Sequence, residues 1–315
     1  MIADFRHPDQ DYHHVHIHIQ SRKILHPNGA PLHSSRRQDG RSLLDFRTIS
    51  LETGVAPLAN GSARLLLGDG TELVAATKLQ VSDDPLASLT CTVTCSPTAY
   101  PHLSPPTLDD LQSDLTALLQ ATLSQHRPLN LTILPSKKSW SLHLDVLVLS
   151  DSGNIHDALF IAARAALYDT KVPRTRAVQY KARKDSGFDM HTAPTDFELP
   201  DYWDEGEVLA GRDTWPVCVT LNIESPTVHY LDAILQEEAS TPLRLLLIFS
   251  FAGSESTLQG MRTLGSGDLR VPHIKALLVD GEKYAREIMQ ALNSKLKEED
   301  LRRNQKARAR FEQRF

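Results

Sequence analysis

The sequence is short of the features that announce most common chemistries. It holds only three cysteines, Cys91, Cys95 and Cys218. That is too few for a disulfide framework, and an intracellular chain with reduced thiols is expected. Cys91 and Cys95 share one strand face if CTVTC is extended, but no second Cys/His pair completes a zinc site, so no metal is expected. No apolar run reaches the roughly 18 residues that cross a bilayer, so no membrane partner is expected. The opening MIADFRHPDQDYHH has no apolar core of the secretory kind. A P-loop, a dinucleotide fingerprint, a nucleophile elbow and a zinc-protease motif are all missing, and no cofactor is expected. Gly68-Asp69-Gly70 lacks the Lys and Ser/Thr of a phosphate cradle and reads as a turn. With 34 basic and 39 acidic side chains the net charge is −5, so the molecule as a whole is no electrostatic binder of nucleic acid, although a local basic patch stays open.

What is present is a β-rich pattern interrupted by helices. Residues 1–33 form a His-rich extension that holds seven of the fourteen histidines, and His14, His16 and His18 alternate with apolar residues as on a short strand. FRTISLET, SARLLLG and TELVAATKLQV read as strands, separated by Asn60-Gly61 and Asp69-Gly70. TCTVTC reads as another. After Pro105-Pro106, Leu108, Leu111, Leu115, Leu118 and Leu119 recur at helical spacing with Thr107 as N-cap. This helix is expected to pack on the core with one polar face. LNLTIL and WSLHLDVLVLS, joined by Pro135-Ser136-Lys137-Lys138-Ser139, read as a hairpin. The helix after it runs from about Asn154 to before Pro173.

Residues 180–213 carry nine acidic side chains between Asp185 and Asp213 and read as an acidic linker or insertion. Strand signals resume in PVCVTLNI, TVHYLDAI, LRLLLIFSFAG and STLQGMRTLG. A helix is expected from Pro272 to about Arg303, and the 301–315 tail is basic. LHLDVLVL and VHYLDAIL form a faint internal echo. The expected fold class is α+β, with two β-then-α halves at 34–179 and 214–300, mixed sheets and packed helices, because hairpins replace alternating β/α units.

The stretch VLSDSGNIHDAL puts Asp151, Ser152, His156 and Asp157 at a strand-to-helix turn. A helix N-terminus attracts phosphate, but an acid in its first turn repels a dianion. Asn154 and Asp157 are expected to cap the helix instead. Asp232, Glu237 and Glu238 in DAILQEEAS are acid/base candidates, with the glutamates expected on a solvated helix face.

Several stretches together resemble the ribonuclease PH family. They are Arg37-Gln38-Asp39-Gly40-Arg41 with Phe46-Arg47, Glu52-Thr53-Gly54, ANGSARLLLGDGTELVAATK, LDVLVLSDSGNIHDALFIAARAALYDTKVPR and LDAILQEEAS. The combination of GNIHDA, AALYDTKVP and DAILQEEA resembles the ring subunits of the RNA exosome within that family. The resemblance spans about residues 35–290 and implies a ribonuclease PH-like fold.

Active members of the family degrade RNA from the 3′ end with inorganic phosphate. Against their turn, Ser152 takes the place of the acid and Ile155-His156 the places of a Ser/Thr-Arg pair that holds phosphate. TLDDLQSDLTALLQ has no basic residue where active members carry arginines. Asp151 lies one position from the acid's place. The resemblance therefore implies a degenerate site at Ser152, Ile155 and His156 and no catalysis. The alternative is an active phosphorolytic exoribonuclease using Asp151, His156 or Asp232. The implied partners are another ribonuclease PH-like chain, three such pairs closing a hexameric ring, OB-fold cap subunits, a hydrolytic nuclease and single-stranded RNA. The implied location is nucleus and nucleolus, also cytoplasm. Lys137 and Lys138, and after them the basic tail, are the candidate RNA contacts.

Overall fold

The computed structural model describes residues 16–17, 37, 39–68, 70–126, 128–178, 196–199, 206–225 and 228–312. Most of the His-rich extension and most of the acidic linker lie outside the described residues. The first sheet has seven strands, β1 (His16–Ile17), β2 (Ile49–Thr53), β3 (Gly61–Leu67), β4 (Thr71–Ser82), β5 (Leu89–Cys95), β6 (Thr132–Leu134) and β7 (Lys138–Ser150). Its order is β1-β2-β3-β4-β7-β5, with β6 on the start of β7. Among the described strands only β5 runs parallel to its neighbour, so the sheet is mixed. One face is apolar at every second residue, as in Leu142, Leu144, Val146 and Val148 of β7, all buried.

Helix α1 (Pro105–Leu123) starts earlier than Thr107. Ser104 is its N-cap and Pro105 and Pro106 form its first turn, where a missing N–H costs nothing. One polar stripe of it meets a strand edge, while Asp109, Asp110 and Ser113 are exposed. Gln112 Oε1, Thr116 Oγ1 and Gln120 Oε1 accept from the backbone N–H groups of Cys95, Val93 and Cys91 at 2.8, 3.0 and 2.6 Å. The helix thereby closes the open edge of β5. Cys91 and Cys95 do share one strand face, turned into the core, and burial pushes their thiols up to about 12 and about 11. The expected hairpin is shorter than its pattern. Leu129–Leu131 form a 3-10 turn, only β6 pairs across the Pro135–Lys137 turn, and the long partners of β7 are β4 and β5.

Helix α2 (Ile155–Asp169) lies between the two sheets. Every residue from Ile155 to Tyr168 is buried, as a helix covered on all sides must be. It packs against β3 and β4 on one side and against the second sheet on the other. Two short pairs follow it in the chain: β8 (Lys171–Val172) with β11 (Glu207–Val208), and β9 (Arg176–Val178) with β10 (Asp196–Glu198).

The second sheet contains β12 (Val217–Ser225), β13 (Val228–Tyr230), β14 (Leu243–Ala252) and β15 (Glu255–Gly265), all antiparallel in the order β13-β12-β14-β15. The strand expected in TVHYLDAI stops at Tyr230. Asp232 has φ 50, outside any strand conformation, so the echo with LHLDVLVL is not structural. A short helix α3 (Leu235–Ser240) follows. The last helix, α4 (Val271–Glu312), covers the second sheet with Leu277, Tyr284, Ile288, Leu292 and Leu296 and continues past Arg303.

Candidate functional site

Strand β7 delivers the chain to the SDSGN turn, and α2 leaves from it. Asp151 accepts from the Tyr100 hydroxyl at 2.7 Å and from the Gly153 N–H at 2.8 Å. Burial and the Asp151 charge raise the Tyr100 phenol far above its ordinary value. Ser152 donates its N–H to Thr71 Oγ1, and that hydroxyl donates to the Gly153 carbonyl at 2.9 Å. Gly153 has φ +99, and a Cβ there would stand 2.5 Å from the Ala233 carbonyl oxygen. Glycine is required both by the backbone and by the approach of the 232–238 segment.

Asn154 occupies the N-cap position in the left-handed conformation and makes no side-chain cap bond. The expected capping by Asn154 and Asp157 is thus corrected. Asn154 Nδ2 donates to Asp232 Oδ1 at 2.9 Å, and its N–H donates to Glu238 Oε1 at 2.9 Å. Asp157 points away from the helix end into the second sheet. It accepts from the Thr220 hydroxyl at 2.7 Å and the Thr220 N–H at 3.2 Å. Burial lifts it to about 7 despite those bonds.

Asp232 is the hub that joins the halves. Its carboxylate accepts from Arg41 Nη1 at 2.8 Å, Arg47 Nη2 at 2.8 Å, Arg47 N–H at 2.6 Å and Asn154. Burial alone would push the carboxyl up, but the Arg47 bonds and charge, with Arg41, outweigh it and hold the group below its usual range. Arg47 also donates to the Ser152 and Gly153 carbonyls at 3.2 and 2.9 Å. Beside it, Arg37 forks onto Glu237 and donates to the Leu231 carbonyl at 2.7 Å. Glu238 pairs with Arg244 at 2.8 Å. Both glutamates are therefore half-buried partners of arginines rather than members of a solvated face.

Ile155 and His156 are both buried at the start of α2. Burial, with Arg244 and Arg262 nearby, pushes His156 down to about 4, against the opposing charge of Asp114. Its imidazole is neutral at pH 7. Arg262 is itself paired to Asp114 at 2.9 Å. The turn thus brings together Asp151, Ser152, Ile155, His156, Asp232 and Glu238. Lys137 and Lys138 are not among them. They stand at the opposite end of β7, about 40 Å away along the strand. Lys137 is exposed in the turn, and Lys138 pairs with Asp83 at 3.2 Å.

The roles of Arg41 and Arg47 escaped the reading of the residues. The available signal was an acid in the apolar run YLDAIL, since an acid buried there needs cationic partners.

Against known families, the model described as "3' exoribonuclease family, domain 1" matches residues 45–173. Exosome complex component Rrp42 of Saccharolobus islandicus (strain Y.N.15.51 / Yellowstone #2) is 37% identical over 173 residues, covering 52% of this chain and 60% of the relative. The component of the same name from Methanothermobacter thermautotrophicus is 34% identical over 150 residues, covering 45% and 55%. The chain thus spans about 60% of the length of these curated relatives at most.

In three dimensions the chain is similar to a subunit of the Archaeoglobus fulgidus exosome with RNA bound to the active site. The TM-score is 0.62 at 24% identity, covering 81% of this chain and 92% of that one. Rice (Oryza sativa) Rrp46 gives 0.55 at 16%, covering 83% and 100%. These likenesses establish the ribonuclease PH-like α+β fold, with mixed sheets and packed helices, across both halves.

Proposed function

We propose that this chain is a non-catalytic ring subunit of the RNA exosome, of the ribosomal RNA-processing protein 42 type. It pairs with another ribonuclease PH-like chain, and three such pairs close a six-membered ring. OB-fold caps above and a hydrolytic nuclease below complete the assembly, which acts in the nucleus, nucleolus and cytoplasm. The chain supports 3′-to-5′ RNA processing by holding the ring and lining its channel, with Lys137 and Lys138 as phosphate contacts.

The observation that carries the reading is how the SDSGN turn spends its charge. A phosphate at the α2 N-terminus needs free N–H groups and a free cation. The Asn154 N–H is taken by Glu238. Arg41 and Arg47 are spent on Asp232, Arg244 on Glu238 and Arg262 on Asp114. His156 is buried and neutral. Asp151 could stand as an acid, but without a held phosphate there is no positioned nucleophile for RNA cleavage. Ring assembly is supported by the exposed apolar side chains Leu258 and Met261 on the edge strand β15 and by Leu147 and Leu149 on the open face of β7.

The test is phosphorolysis. The purified chain, alone and with its pairing partner, is incubated with single-stranded RNA and inorganic phosphate. No nucleoside diphosphate release is expected from this chain. Phosphate-dependent release that disappears in Asp151→Ala would establish an active exoribonuclease instead.

A further inference from the structure

Among the described residues, six buried side-chain polar atoms have no hydrogen-bond partner. Four of the six belong to residues that meet in one corner of the fold: His126 Nε2, Arg164 Nε, Tyr168 Oη and Trp215 Nε1. Arg164 Nη1 donates to the Trp215 carbonyl. The His126 and Trp215 rings stand 5.5 Å apart between centroids. Tyr168 follows Arg164 by four residues and shares its face of α2. The corner joins the end of α1, helix α2, the loop before β12 and, through Asn293, helix α4.

Arg164 is the most buried arginine among the described residues, at 1% exposure. Arg37, Arg41, Arg47 and Arg244 each reach a carboxylate. Arg164 does not. Its bonds go to three neutral oxygens, the Trp215 carbonyl, the Asp213 carbonyl at 2.6 Å and Asn293 Oδ1 at 2.7 Å. A buried cation ordinarily needs an anionic partner, and burial lowers this guanidinium to about 10. Arg212, stacked over the Tyr168 ring at 4.1 Å, already has Asp300 at 3.0 Å. His126 adds no charge, because burial and the nearby Arg164 keep its imidazole neutral. The corner therefore holds one uncompensated positive charge. It also holds three donors that lack an acceptor: the Arg164 Nε–H, the Trp215 Nε1–H and the Tyr168 hydroxyl.

We infer that Arg164, Tyr168 and Trp215, with His126 beside them, form an interior site for a small monovalent anion of the halide class. Such an ion accepts from all three donors and cancels the Arg164 charge. A water has lone pairs for two of the donors and leaves the charge as it is. A phosphate or a nucleotide carries more bulk and charge than a corner walled by side chains of 1–2% exposure admits. The bound ion would fasten α1, α2, the loop before β12 and α4 to one another. The site is independent of the SDSGN turn and of the ring reading.

The experiment uses the full chain dialysed free of halide. Its melting temperature is read as sodium bromide replaces sodium gluconate, far bulkier than a halide, at constant ionic strength and over several decades of concentration. Linked binding predicts a melting temperature that climbs with the logarithm of bromide, by about 2 °C for each fivefold step above the dissociation constant. Crystals soaked in bromide are expected to show an anomalous peak in contact with Arg164 Nε and Trp215 Nε1. Tyr168→Phe and Trp215→Phe keep the rings and remove one donor each. Both are expected to flatten the bromide dependence and to melt below the parent in bromide. If the donors are merely unpaired, removing one relieves a buried polar group, and the variants melt at or above the parent in either salt. That result would overturn the inference. So would a melting temperature of the parent that does not rise with bromide, even with an anomalous peak present, which would mark an adventitious ion only. Should one variant fail to fold, the parent series and the other variant still decide.

Discussion

Asp232 is fully buried, yet it stays ionised because Arg41, Arg47 and Asn154 surround it. Removing the acid leaves two guanidinium groups without their partner in a poorly solvated place. Asp232→Ala is therefore expected to cost about 3–5 kcal/mol, read as a fall in the denaturant midpoint, with Asp232→Asn less severe. Gly153→Ala forces a φ of +99 on alanine and drives its Cβ onto the Ala233 carbonyl. It is expected to cost more than about 1 kcal/mol.

His156 and Asp157 are adjacent and titrate in opposite senses. His156 is lowered to about 4, so the unfolded chain binds more protons there, and stability falls as pH drops from about 6.5 to 4. Asp157 is raised to about 7, so the folded chain binds more protons, and its contribution is present near pH 4 and lost as pH rises to 7. Each slope is at most about 1.4 kcal/mol per pH unit, and over this window they oppose. His156→Gln is expected to unmask stability falling with pH, and Asp157→Asn stability rising with pH. Thermal melts at pH 4.5, 5.5 and 6.5 read both. Identical profiles for the two variants would contradict the paired assignment.

At the scale of elements, helix α1 closes a sheet edge with side chains rather than with another strand. Gln112, Thr116 and Gln120 follow one another at four-residue spacing, about 6 Å along the helix axis. They meet the N–H groups of alternate β5 residues, spaced about 6.6 Å apart. Thr116→Val removes the acceptor without changing shape and leaves the buried Val93 N–H unpaired. A cost of about 1–3 kcal/mol is expected in thermal unfolding.

The apolar pattern made strands β2 to β5, β7, β12, β14 and β15 legible, because each alternates or runs apolar between turn residues. It also placed α1, α2 and α4. It could not reveal that the polar stripe of α1 faces a strand edge, since a solvated face and an edge cap have the same spacing. Nor could it show that Asp157 turns toward Thr220 instead of capping α2. That orientation is decided by a strand more than sixty residues later. The SDSGN turn was recognisable as a helix start, but the arginines that reach it come from residues 41, 47, 244 and 262, brought together only by the fold.

For the whole molecule, the two sheets share α2 as their common filling, and the Asp232 hub and the Arg303–Asp169 pair tie the halves at separate places. What remains unburied is apolar at the edge strand β15 and on the open face of β7, so the isolated chain is expected to be poorly soluble and its pairing partner to raise its melting temperature. The most direct test of a structural ring subunit is native mass spectrometry of the assembly purified through a tag on this chain. The predicted result is a hetero-oligomer in which this chain is stoichiometric with distinct ribonuclease PH-like chains and OB-fold caps. A homohexamer of this chain alone would contradict it.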